Sequence, residues 1–279
     1  MNPLLPVFKI CTLILAFSGL ATSCYQPKKA CLDIEAVNFD ATADENCCCQ
    51  YPRLFFRLEH RYDTLTFREG DPYPQPDGHW FRLQKVIFYL SDVKAYRGTE
   101  EFGITDSLEL PVFGPAVTDT LEQFLTNDFM LIRRTPLEYA AGAFPESGSF
   151  DRIRCRLGLP AAAQHVIPTK APNGHPLAAQ SEKLWLDRDR GFEAMRIIFN
   201  RDTLSTTAPD TITLARPEFD NFMLEGTGTF VHQSGFDFYV PLQADYKELF
   251  RDVDLANGNL SGWKAKIVAN LPNALRFQD

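Results

Sequence analysis

The stretch FRLQKVIFYLSDVKAY, Phe81–Tyr96, decides the class of the fold. With a period of two, Val86, Phe88 and Leu90 fall on one face, and Ile87 and Tyr89 on the other. A strand apolar on both faces must be covered on both, which places it in the middle of a layered β structure rather than at an edge. A helix is the rival for such an apolar run. The β-branched and aromatic residues, with turn formers on either flank, favour the strand.

Working upstream, Leu54–His60 reads as a first strand and Thr64–Phe67 as its partner. The loop REGDPYPQPDGHW, residues 68–80, carries three prolines and two glycines and separates them from the central strand. Downstream, Ser107–Phe113 and Phe129–Ile132 are strand-like, and TDTLEQFLTND between them reads as a short helix. Four β-like pieces follow residue 200: TITLARPEF, NFMLEGTG, TFVHQ and FDFYVPLQ. The period then changes. Asp245 and Glu248 form a capping box ahead of Tyr246–Phe250. Ser261 precedes a helix whose apolar face is Trp263, Ile267, Val268 and Leu271, interrupted by Pro272. The expected fold is mainly β, an antiparallel β-sandwich with a small C-terminal helical appendage.

The composition agrees with that class. Of 279 residues 45% are hydrophobic, ample for a core, and 23 Phe, 16 Gly and 19 Pro suit short strands joined by turns. A net charge of −8 with no basic cluster argues against a nucleic-acid surface. The common phosphate-binding, dinucleotide-binding, zinc-hydrolase and serine-hydrolase signatures are absent, and no ordered nucleophile and base stand out, so no enzyme is expected.

The first 23 residues read as a targeting segment. Lys9 precedes an apolar run, Ile10–Leu20, too short for a comfortable membrane span, and Ala21-Thr22-Ser23 leads into Cys24. This resembles a bacterial lipoprotein signal, with Cys24 lipidated. The expected location is the periplasm or cell surface, attached to the outer membrane through the lipid. Residues 24–52 form a Cys-rich stalk. In ACLDIEAVNFDATADENCCCQYP, Cys31 and the run Cys47-Cys48-Cys49 bracket an acidic loop. A disulfide from Cys31 to Cys47, Cys48 or Cys49 is permitted by export and would stabilise a loop of this size by about 3 kcal/mol. The segment resembles short Cys-bounded modules of secreted bacterial surface proteins. Its oxygen-rich spacing suits calcium, against the plainer reading of a pinned spacer. Cys155, between Ile153 and Leu157 on a strand face, reads as a buried thiol.

Residues 53–279 form the main domain. Its candidate site is the connection after the strand SFDRIRCRLGLP, namely AAAQHVIPTKAPNGHPLAAQSEKLWLDRDRGF, which leads to a second strand in FEAMRIIFN. Connections this long inside a compact domain are functional or disordered, and one carrying His165, His175 and Trp185 is read as functional.

The order of these pieces resembles the MbnP-like family of exported bacterial copper-binding proteins. FRLQKVIFYLSDVKAY resembles the family's Tyr-hydrophobic-Ser-Asn/Asp strand, and SGSFDRIRCRLGLPAAAQH its segment ending in Asn-His. PLAAQSEKLWLDRDRGF stands where the family has paired tryptophans, and VPLQADYKELFRDVDL with IVANLPNALRF resembles its close. The resemblance implies copper held by histidines near a tryptophan that a di-haem MauG-like partner enzyme oxidises to kynurenine. His165 occupies the Asn-His position, with Gln164 for Asn; Trp185 keeps one of the paired tryptophans; and Glu225 stands where a later histidine is found. His232, His175 and His60 remain to complete a weak copper site; His79, Met130, Met195 and Met223 are further donors. The broken context around Trp185 leads us to expect no kynurenine. The alternative is a cell-surface interaction module, binding glycan or protein, with a degenerate metal site.

Overall fold

The computed structural model describes residues 25–278 apart from 117, 205–207 and 221. The segment 1–23 expected to be a lipoprotein signal, and Cys24 expected to carry the lipid, lie outside the described residues.

The central strand runs unbroken from Trp80 to Arg97. It organises an eight-stranded sheet with the order Asp210–Leu214, Met195–Asn200, Trp80–Arg97, Gly148–Leu157, Phe222–His232, and Pro72–Pro74, Glu100–Gly103 and Met130–Ile132 also pair with it. A second sheet has the order Glu138–Ala143, Arg53–Tyr62, Phe238–Asp245, Leu275–Phe277. Pairing is antiparallel in both sheets except between Arg53–Tyr62 and Phe238–Asp245, which run parallel.

The two faces of the central strand feed two different cores. Val86, Phe88 and Leu90 pack between the sheets with Phe56, Leu58, Ile153, Cys155, Leu157, Ile197, Phe199, Val240 and Leu242. Ile87 and Tyr89 face outward into a second cluster with Leu110, Val112, Phe129, Leu159, Val166, Leu177, Leu184 and Phe192. Val166, Leu177, Leu184 and Phe192 of that cluster are the underside of the long connection, which with Leu110 and Val112 of the strand Ser107–Phe113 lies over the sandwich as a cap. Each face removes large apolar side chains from water, at about 1.5–3 kcal/mol per fully buried residue.

Several local expectations need correction. The segment expected to be helical is a strand, Thr120–Thr126, hairpin-paired with Ser107–Phe113. Its Leu121, Phe124 and Leu125 have helical spacing. However, Leu121 and Phe124 are exposed and only Leu125 is buried, because pairing with the preceding strand satisfies the backbone instead. NFMLEGTG and TFVHQ belong to one continuous strand, Phe222–His232. The C-terminal helix, Leu260–Ala274, is capped by Asn259 rather than Ser261, and it continues two residues past Pro272. Asp245 caps Tyr246–Leu249 by accepting from the Lys247 and Glu248 N–H groups.

The Cys-rich segment is closed by a Cys31–Cys49 disulfide. Cys47 and Cys48 are free thiols, and Cys155 is buried in the sandwich, which pushes its thiol pKa up. The acidic oxygens considered for calcium are occupied by protein donors. Asp33 accepts from the Glu35 N–H and the Tyr51 hydroxyl, Asp40 pairs with Lys28 and Thr42, and Asp44 accepts from the Lys28 N–H. The segment touches the main domain where Ser234 Oγ donates to the Ile34 carbonyl and the Phe144 N–H to the Pro52 carbonyl.

Candidate functional site

The cap is pinned at both ends by one buried side chain. Gln164 lies in a short 3-10 turn, Ala163–His165, and its Oε1 accepts the Phe192 N–H at 2.7 Å across the loop. Gly191 makes this approach possible. Its φ is +71°, and a Cβ there would stand 2.3 Å from Gln164 Oε1. Any side chain at 191 must therefore break the clasp. The middle of the cap is tied to the sandwich through Arg133, whose Nε donates to Glu182 at 2.8 Å and holds that carboxyl below its ordinary pKa.

This clasp sets two sequence-predicted residues around a third that the sequence did not flag. Trp185 stacks on Phe113 with ring centroids 6.0 Å apart at 24°. His165 is exposed and lines a cavity of about 390 Å³ with Phe113, Gly114, Pro115, Arg188 and Asp189. Trp185 lines an adjoining cavity of about 380 Å³ with Phe113, Tyr89, Ile167, Leu184 and Phe192. Phe113 is thus the wall between His165 and Trp185. Arg188 seals the arrangement, with its guanidinium 5.6 Å from the Phe113 centroid and donating to the Gly114, Pro115 and Ala116 carbonyls. Asp187 accepts from the Asp189 and Arg190 N–H groups and pairs with the Arg190 side chain, so the alternating charges build a tight turn. The Trp185 Nε1 is enclosed with no hydrogen-bond partner.

The other histidines do not join His165. His175 accepts the Leu177 N–H at Nδ1 (3.1 Å), which leaves Nε2 to donate to Asn127 at 3.0 Å; burial holds its pKa below the ordinary value. His60 is buried in the inter-sheet core, its Nδ1 2.7 Å from the Tyr246 hydroxyl. Burial, with the Arg134 charge nearby, lowers its pKa to about 4. His232 has both ring nitrogens on carbonyl oxygens, Glu146 at 2.6 Å and Phe236 at 2.7 Å, and stacks on Phe238. His79 bonds the Arg201 carbonyl. Met130 and Met195 lie in the inter-sheet core, and Glu225 is exposed opposite Arg154. Among the described residues no group of three or more His, Cys, Asp or Glu is gathered as a metal site. The four-histidine set expected from sequence therefore reduces to His165, with Asp189 as the carboxylate on the same cavity.

Phe113 and Arg188 are the residues that sequence reasoning missed. Phe113 ends a strand before Gly-Pro, a signal that marks a turn but not the ring it will meet.

Fold and site together define a mainly-β sandwich carrying one loop-built cap. No family model matches the chain, and no curated protein matches it. Among solved structures it is similar to MbnP from Methylosinus trichosporium, at 12% identity over 75% of this chain and 83% of that chain, with a TM-score of 0.42. Likeness at this level assigns neither a ligand nor the role of any residue.

Proposed function

We propose that the chain is an exported, lipid-tethered, non-catalytic protein of copper handling that meets the metal at the cap through His165. One observation carries the reading. His165 and Trp185, the two positions that the MbnP-like motif order marks, stand on either side of Phe113 in a clasped loop. The sequence resemblance supports the metal, and Ala-Thr-Ser-Cys24 supports the tether.

The donor set fits an open, exchangeable site rather than a deep one. A single exposed imidazole and one carboxylate leave most of copper's coordination to water or to a partner, and the neighbouring Arg188 cation opposes a second positive charge. The expected behaviour is weak binding, suited to passing an ion on rather than storing it.

Copper competition on the exported chain and on His165→Ala tests this. Weak binding in the wild type, reduced at least about tenfold in the variant, is expected, because loss of a ligand or its support typically costs 10–100-fold. Binding should also weaken on acidification, since a protonated imidazole cannot coordinate. Binding indifferent to His165 would reject the reading.

A further inference from the structure

Far along the central strand from the cap, a second concavity has a different chemistry. It is a groove of about 680 Å³ lined by residues of the 62–74 segment together with Trp80 and Lys247. Trp80 opens the central strand and is 51% exposed, so the face of its indole is open to a ligand in the groove. The ground around it is rigid. Tyr62 and Tyr73 stack with centroids 4.3 Å apart, the Tyr62 hydroxyl donates to the Pro74 carbonyl, and the Tyr73 hydroxyl both accepts from and donates to the Arg68 backbone. Pro72 and Pro74 pair with the start of the central strand and fix the rim beside the indole.

The polar lining decides the ligand class. Asp63 and Asp71 are balanced by Arg68 and Lys247, so the groove carries no net charge to select an ion. Lys247 and Asp63 already neutralise each other at 2.7 Å. Among the described residues the exposed Asp71 and Arg68 side chains have no hydrogen-bond or ion-pair partner, and they stand as acceptor and donor beside the hydroxyls of Thr64 and Thr66. An open indole next to a neutral mixture of carboxylate, guanidinium and hydroxyl groups matches the two surfaces of a pyranose. Its C–H face stacks on an aromatic ring, and its equatorial hydroxyls need both donors and acceptors. The volume lies within the range that holds compact ligands.

We propose that this groove is a binding site for neutral saccharide, with a sugar ring stacked on Trp80 and its hydroxyls held by Asp71 and Arg68. The site is independent of His165 and of copper. A protein tethered at the cell surface would use it to hold glycan while the cap remains free.

The test is calorimetry of the exported chain against neutral oligosaccharides, namely cello-, malto-, xylo- and chito-oligosaccharides, with Trp80→Ala, Trp80→Phe, Asp71→Asn and Trp185→Phe alongside. At least one saccharide class should bind saturably. Trp80→Ala should weaken it at least about tenfold, Trp80→Phe should retain part of the affinity, and Trp185→Phe should leave it unchanged. Melting of each variant separates lost binding from lost fold. Failure of the wild type to bind any of the four classes would overturn the proposal, as would binding that a folded Trp80→Ala leaves intact.

Discussion

The two faces of the central strand use histidine in opposite ways. On the inner side His60 is sealed between sheets, fixed to Tyr246 and kept neutral by burial. On the outer side His165 stands exposed at the rim of the cap, beside Asp189. The same side chain is a packed core element in one place and an available donor in the other. Burial and hydrogen-bond partners decide which, so a histidine count says little about a metal site.

The largest expected effect concerns the buried charges of the sandwich. Asp128 accepts the Val93 N–H at 2.8 Å, and burial raises its pKa to about 6. Its stabilising contribution is present below its unfolded value of 3.8 and is lost as pH rises through about 6. His60 has the opposite sign. Its folded pKa of about 4 is below the unfolded 6.5, so stability is present above 6.5 and lost as pH falls towards 4. The two shifts are of similar size, on the order of 3 kcal/mol each, and oppose one another across this window. Asp128 offsets part of the loss that His60 and the likewise buried His175 cause on acidification, so wild-type stability should fall only shallowly from pH 6.5 to 4. Asp128→Asn keeps an acceptor for Val93 and should expose a loss of stability on acidification over that range, measured by chemical denaturation. A level profile in the variant would show that neither His60 nor His175 is held neutral.

A smaller effect should separate cap from core. Gly191→Ala places a Cβ against Gln164 at a positive φ, and should cost about 1–3 kcal/mol of local strain. Hydrogen exchange should rise across residues 159–192 while the inter-sheet strands stay protected. Equal loosening of both regions would mean that the cap and the sandwich unfold as one unit.

The fold was legible where alternation carried it. Val86 to Leu90 announced two buried faces, and Ile153, Cys155 and Leu157 announced one. The hairpin strand Thr120–Thr126 was not legible, because its apolar spacing suits a helix and only its partner strand decides otherwise. In the candidate site, motif order marked His165 and Trp185, but nothing in the sequence marked the Phe113 ring that stands between them. Nor could the fates of His60 and His232. His60 meets Tyr246, which lies 186 positions away, and the His232 ring is fixed by the Glu146 carbonyl, 86 positions away. Pairings of that range leave no periodic trace in the chain.

The central claim is that His165, at the rim of the cap, is open to copper, and its most direct test is histidine-selective NMR with substoichiometric Cu(II). Paramagnetic broadening should erase the His165 ring signals first, leave those of His60 and His232 sharp, and vanish in His165→Ala. Early broadening of His60 or His232, or broadening that survives His165→Ala, would contradict the account.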